Sequence, residues 1–126
     1  MGVDFGMMRI GIAISDESGH FAFPHSVLAN TKETLKIISG LVKKDRVGKI
    51  ILGRSLDYKG NPNAVMKNIE IFKSELEEVT SLPIEYENEF LTTAEAERIQ
   101  GKNKNTDASA AAIILKSYID KNLKHE

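Results

Sequence analysis

Every second residue is apolar near the start of the chain, and the spacing changes to that of helices after residue 30. The runs at 2–6 and 9–15 alternate with a period of two, which is the period of a β-strand. A polar turn at 16–19 leads into a third run at 20–28, where Pro24 indicates an edge strand or a bulge. We therefore predict three successive antiparallel strands.

Three later segments carry apolar residues at helical spacing. Their stripes are Leu35, Ile38, Leu41 and Val42; Val65, Ile69, Phe72 and Leu76; and Ala111, Ile114, Leu115, Tyr118 and Ile119. Thr31 and Thr106 are predicted to cap the first and last of these helices, and Thr92 starts a capping box for an additional short helix. Short runs at 49–53 and 83–87 separate the helices, as parallel strands joined by crossovers would. This order predicts an α/β fold with a mixed five-stranded sheet, three antiparallel strands and then two parallel ones, and with helices on both faces.

The composition is that of one soluble globular domain spanning residues 1–126, with 41% apolar and 28% charged residues. No apolar run is long enough to span a membrane, and the first residues lack the pattern of a signal peptide. The absence of cysteine excludes disulfides and thiolate metal sites, and it favours the cytoplasm. Because the net charge is only −1, we expect any surface that binds nucleic acid to be a local basic patch.

Asp4 stands in the middle of the first predicted strand, between Gly2 and Gly6. Alternation places both glycines on the same face as the carboxylate, so that no bulky neighbour on its own strand covers it. An Asp-x-Gly sequence is also common in hairpin turns, and that interpretation stays open at this point. The strand interpretation predicts a carboxylate that a large ligand can approach.

Other acids follow in an order that would bring them near Asp4. Glu87 and Glu89 lie at or just past the end of the last predicted strand, and Asp107 opens the last helix four residues before Ala111, on its sheet-facing side. A first-turn acid that complements the helix dipole is a simpler explanation for Asp107. Acids that converge repel one another unless a divalent cation neutralises them, and all-oxygen ligands suit Mg²⁺ or Mn²⁺. Because such ions activate water against a phosphodiester, a hydrolytic nuclease is the hypothesis.

Basic residues near these acids are candidate phosphate contacts. They are Arg9, Lys102 and Lys104, the last two in a polar segment that joins two predicted helices beside Asp107. A solvated charged face would explain the same residues. The expected partner is nucleic acid, and no membrane association is expected.

Five short segments together resemble the YqgF/RuvX family of RNase H-like nucleases. They are GVDFG at 2–6, RIGIAISD at 9–16, ILG at 51–53, EFLTTAEA at 89–96 and DASAAAIIL at 107–115. The resemblance implies an RNase H-like fold and an acidic triad at Asp4, Glu89 and Asp107. It also implies action at the 5′ end of pre-16S rRNA or on Holliday junctions, with structured RNA favoured over a DNA junction. Ribosomal proteins or processing factors are further candidate partners.

The chain departs from the family pattern beside the acids. Asn88 stands where the family has aspartate, Phe90 where it has arginine, and Met7-Met8 where it has Thr-Lys. An amide brings no negative charge to a metal, and loss of basic residues weakens phosphate binding, so these departures predict slow cleavage with a high metal requirement.

Three alternatives to an rRNA nuclease stay open. A binding module that has lost cleavage would explain the departures. A Holliday junction resolvase would share the fold and the metals, but it normally needs a dimer. An actin-like or sugar-kinase-like ATPase also begins with Gly-x-Asp-x-Gly, although 126 residues leave no room for the second lobe that closes over the nucleotide.

Overall fold

The computed structural model describes residues 1–56, 66–90 and 104–123. The strands within these residues are β1 (Gly2–Asp4), β2 (Arg9–Ser15), β3 (Ala22–Ala29), β4 (Ile50–Leu56) and β5 (Ile84–Phe90). The helices within the same residues are α1 (Thr34–Lys44), α2 (Met66–Thr80) and α3 (Lys104–Leu123). No helix in these ranges is both long and apolar enough to cross a membrane.

The described strands form one five-stranded sheet in the order β3-β2-β1-β4-β5. β1 pairs antiparallel with β2 and parallel with β4, while β2 pairs antiparallel with β3 and β4 pairs parallel with β5. The predicted mixed sheet is therefore confirmed. β3 is an edge strand with an irregularity at Pro24, because Ile12 pairs with Ser26 and Ala13 with Pro24, which leaves His25 as an extra residue.

One face of the sheet is covered by α1 and α2 and holds large apolar side chains. Buried residues of this face are Val3, Ile10, Ile12, Ile38, Ile50, Leu52, Ile69, Phe72 and Leu76. Phe5 and Phe72 add a tilted ring pair with centroids 5.1 Å apart. Full burial of side chains of this size stabilises a fold by about 1.5–3 kcal/mol each, so this face is the main source of stability. The predicted stripes of the first two helices face it, with Val65 outside the described residues.

The opposite face is covered by α3 and is built from smaller residues. Ala13, Ile51, Ala111 and Leu115 are buried there. α3 approaches the sheet so closely that a Cβ on Gly2 would lie 2.7 Å from the Ala111 carbonyl oxygen and 2.8 Å from the Leu115 Cβ. Only glycine fits at position 2 without moving the helix. The predicted apolar stripe of the last helix is therefore confirmed as its sheet-facing side.

The two predicted threonine caps are wrong. α1 begins at Thr34, and Glu33 precedes it without a side-chain cap. The Thr31 hydroxyl instead accepts a hydrogen bond from the Glu33 amide at 3.2 Å, within the turn before the helix. α3 begins at Lys104, so Thr106 lies inside it. In both cases the chain enters the helix without the threonine that the local pattern favours.

The last strand is longer than its sequence pattern indicates. β5 continues to Phe90 because its parallel pairing with β4 runs on to Leu56. The charged residues that end the apolar alternation are therefore still part of the sheet. The short helix predicted from Thr92 lies outside the described residues.

Candidate active site

Asp4 is the last residue of β1, the central strand of the sheet. The residues level with it on both neighbouring strands are glycines. Gly11 of β2 is its antiparallel partner. The parallel register of β1 with β4 carries Asp4 next to Gly53, which pairs in turn with Glu87 of β5. The half-buried Asp4 carboxylate thus stands in a row in which neither adjacent strand supplies a side chain. Access of a large ligand to Asp4 stays a prediction.

α3 runs antiparallel to β1 and β4. Gly2 lies against Ala111 and Leu115. Lys49, just before β4, donates to the hydroxyl of Tyr118, one turn further along the helix, at 3.0 Å. The start of α3 therefore lies over the end of β1.

The backbone at position 107 comes level with Asp4. It precedes Ala111 by four residues, which is about 6 Å of helix rise. Asp4 follows Gly2 by two residues, which is about 6–7 Å along a strand. Because Gly2 and Ala111 are in contact, the two displacements in the same direction bring the first turn of α3 to the edge of the sheet where Asp4 stands.

Two carboxylates of β5 contact side chains of α3, and the first of them is Glu85. The Tyr118 hydroxyl donates to Glu85, and the Lys49 ammonium lies 3.2 Å from the same carboxylate. The Tyr118 hydrogen bond first, and Lys49 second, hold the pKa of Glu85 below its ordinary value. Lys49 in turn has a raised pKa, because it donates to Tyr118 and Glu85. Glu85 is therefore an ionised partner of the helix, far from the site edge.

Glu87 is the second of these carboxylates, and it is only 5% exposed. The Ser117 hydroxyl and the Lys121 ammonium both donate to its Oε2, each at 2.6 Å. The sequence groups Glu87 with Glu89 as candidate acids, and in the structure Glu87 is bound by α3. The signal in the sequence is the four-residue spacing of Ser117 and Lys121, which puts both on one side of the helix.

The predicted acidic triad lies on three elements that meet where the parallel strands have their C-terminal ends. Asp4 ends β1, Glu89 is the penultimate residue of β5, two residues after Glu87, and Asp107 lies in the first turn of α3. The side chains of Glu89 and Asp107 are outside the described part of the structure. Among the side chains that are described, no three histidines or acids come together to hold a metal ion. The triad as a metal site stays a prediction.

The candidate phosphate contacts border the same edge. Arg9 is the first residue of β2 and is exposed. It precedes Gly11 by two residues and therefore lies on the same face of the sheet as Asp4. Lys104 is the first residue of α3. Lys102 lies outside the described residues. Contact of these residues with phosphate stays a prediction.

Asn88, the position where the chain departs from the family pattern, points away from the acids. It is exposed and in register with Arg54 of β4. Because side chains alternate along β5, Asn88 lies on the opposite face from Glu87 and Glu89. This placement does not favour the hypothesis that its amide weakens metal binding.

The order of the mixed five-stranded sheet and its helices are those of an RNase H-like fold. The structure of RuvC from Thermus thermophilus has a similar fold, with a TM-score of 0.55 and 12% sequence identity, covering 98% of this chain and 95% of that chain. At so low an identity the similarity shows the fold alone.

A family model described as "RuvX: Holliday junction resolvase" matches residues 1–121, and the chain belongs to this family of nucleases. Relatives that carry the name "Putative pre-16S rRNA nuclease" are similar over almost their full length. One from an Anaeromyxobacter species is 35% identical, covering 95% of this chain and 95% of the relative. One from Maridesulfovibrio salexigens is 30% identical, covering 94% of this chain and 96% of the relative. The resemblance inferred from the sequence segments is confirmed.

Proposed function

We propose that this chain is a metal-dependent nuclease that hydrolyses a phosphodiester bond in structured RNA during maturation of the 5′ end of pre-16S rRNA. The observation that carries the proposal is that Asp4 lies between Gly11 and Gly53. It does so at the C-terminal ends of the parallel strands, where β5 carries position 89 and the first turn of α3 carries position 107. The names of the relatives from Anaeromyxobacter and Maridesulfovibrio support the choice of substrate. Such a role would place the protein in the cytoplasm, with ribosomal proteins or processing factors as partners.

Asp4, Glu89 and Asp107 would hold Mg²⁺ or Mn²⁺. The donor set fits hard cations, since all three residues offer carboxylate oxygens. Nucleases of the RuvC and RuvX type generally depend on divalent metals. The bound ion would polarise the phosphodiester and lower the pKa of the attacking water.

The protein's own groups would position the substrate. Backbone pairing with Gly11 fixes Asp4 in the central strand, and the glycine row lets a sugar-phosphate backbone come close to the carboxylate. Arg9 and Lys104 would contact phosphates next to the one that is cleaved. Affinity should therefore fall steeply with salt although the net charge is only −1.

The test offers a structured pre-rRNA leader and a four-way DNA junction side by side, with Mg²⁺ or Mn²⁺. We expect cleavage of the leader by the wild-type protein and none by Asp4→Asn, which keeps the shape of the side chain and removes its charge. Circular dichroism of the same samples checks that the variant is folded. Full activity in Asp4→Asn would contradict the proposed mechanism.

Holliday junction resolution is a second candidate, favoured by the description of the matching family model. A resolvase cuts two strands symmetrically and acts as a dimer. Paired cuts in the junction, with an intact leader, would select this function. Tight binding of either substrate without cleavage would select the binding-module alternative.

A further inference from the structure

In the described residues, side chains join β5 to α3 at two levels. The Glu87 link consists of Glu87 with Ser117 and Lys121. The Glu85 link consists of Glu85 with Tyr118 and Lys49. Both connect the same strand to the same helix, so each is a natural control for the other.

The two links differ in burial. The side chain of Glu87 is 6% exposed, whereas that of Glu85 is 49% exposed. A buried carboxylate that loses its partners is strongly destabilised, because water cannot replace them. Separation of β5 from α3 at Glu87 would therefore remove both donors from a carboxylate that the packed helix buries, while Glu85 is already half exposed and can exchange its partners for water.

The position of the Glu87 link relates it to the acids. Glu87 lies in the row of Asp4 and precedes Glu89 by two residues in β5. β5 is an edge strand that pairs only with β4 among the described strands. Its distance from α3 is thus not fixed by a second neighbouring strand. The Glu87 link joins the two elements that carry Glu89 and Asp107 directly to each other.

We propose that Glu87 is a positioning residue, whose link to Ser117 and Lys121 sets the spacing between Glu89 and Asp107 and thereby the affinity for a divalent ion. This inference rests on the proposed function. The charge of Lys121 also compensates that of Glu87, so that this carboxylate is not available as a competing ligand for the ion.

The test measures binding of Mn²⁺ to the intact protein without nucleic acid, by electron paramagnetic resonance or calorimetry. Glu87→Gln and Lys121→Met should each weaken binding by about tenfold, the range seen for groups that orient metal ligands. Ser117→Ala removes a single donor and should weaken binding less, and Lys121→Arg should keep wild-type affinity. Tyr118→Phe, the matched change in the Glu85 link, should leave Mn²⁺ affinity unchanged. Thermal melts confirm that each variant is folded.

Several results would overturn the inference. Equal weakening of Mn²⁺ binding by Glu87→Gln and Tyr118→Phe would show that the Glu87 link acts only through general stability. Unchanged affinity in Glu87→Gln and Lys121→Met would show that the link does not affect metal binding. Tighter binding in Lys121→Met would mean that Glu87, once released, is itself a ligand. A wild-type protein that binds no Mn²⁺ overturns the proposed function together with this inference, whereas the other results leave the proposed function intact.

Discussion

The two faces of the sheet are built from opposite kinds of residue. The face under α1 and α2 is filled by fully buried branched side chains such as Ile10, Ile12 and Leu52. The face under α3 carries Gly2 and Asp4 in the central strand. One face supplies most of the apolar burial that stabilises the fold. The other carries glycines, carboxylates and a closely packed helix, which suit the proposed metal site.

The small residues of the α3 face have a geometric consequence. The contact of Gly2 with Ala111 keeps the helix low on the sheet. A side chain at position 2 would displace α3 from the sheet and move position 107 away from Asp4. Close packing of small residues would therefore serve the proposed site, and the large apolar face compensates for the limited burial on this side.

The largest expected effect is on the apolar face. Ile12→Ala should lower the free energy of unfolding by about 2–5 kcal/mol, because the side chain is fully buried and leaves a cavity. Urea denaturation measures this change. Below the unfolding transition, Mn²⁺ affinity should match that of the wild type. A large loss of metal affinity in the folded variant would show that the two faces are not separable.

A smaller effect is expected on the α3 face. Gly2→Ala should cost about 1–3 kcal/mol by overpacking, and it should also weaken Mn²⁺ binding because α3 is displaced. The matched control is Gly40→Ala in α1, where a Cβ would meet nothing within 4 Å. It should stabilise the helix by about 0.5–1 kcal/mol without changing metal affinity. Equal stability changes in the two variants would contradict the close approach of α3.

The α3 face should give stability a dependence on acidic pH through Glu85. Its pKa is lowered in the folded protein by the Tyr118 hydroxyl and then by Lys49. A lowered folded pKa stabilises the fold above the unfolded pKa of about 4.3, and this contribution is lost as the pH falls through the folded value. Tyr118→Phe should raise the pKa of Glu85 and reduce that loss. Titration of the Glu85 carboxyl by NMR checks this, and an unchanged pKa in the variant would refute the contact.

Much of this architecture could be predicted because alternation and helical spacing report which side is buried. Ile10 and Ile12 against Gly11 and Ala13 indicated the two faces of β2, and the stripe through Ala111 indicated the sheet-facing side of the last helix. The ends of elements could not be predicted. Pairing with β4 extends β5 through charged residues, and α3 begins two residues before Thr106.

The partners of individual acids could not be predicted either. Glu87 and Glu89 have the same type of side chain and lie two residues apart on one strand. Only the position of α3 shows that Ser117 and Lys121 bind Glu87. The departure at Asn88 could be seen in the sequence, but its orientation away from the acids depends on β5 continuing past it.

The most direct test of a metal site on the α3 face is the melting temperature of wild-type protein and Asp4→Asn, each with and without Mn²⁺. An ion that binds only the folded state raises the melting temperature. We expect a clear rise for the wild type, no rise for Asp4→Asn, and metal-free melting temperatures that are close to each other. An equal rise in both proteins would contradict the assignment of Asp4 as a metal ligand.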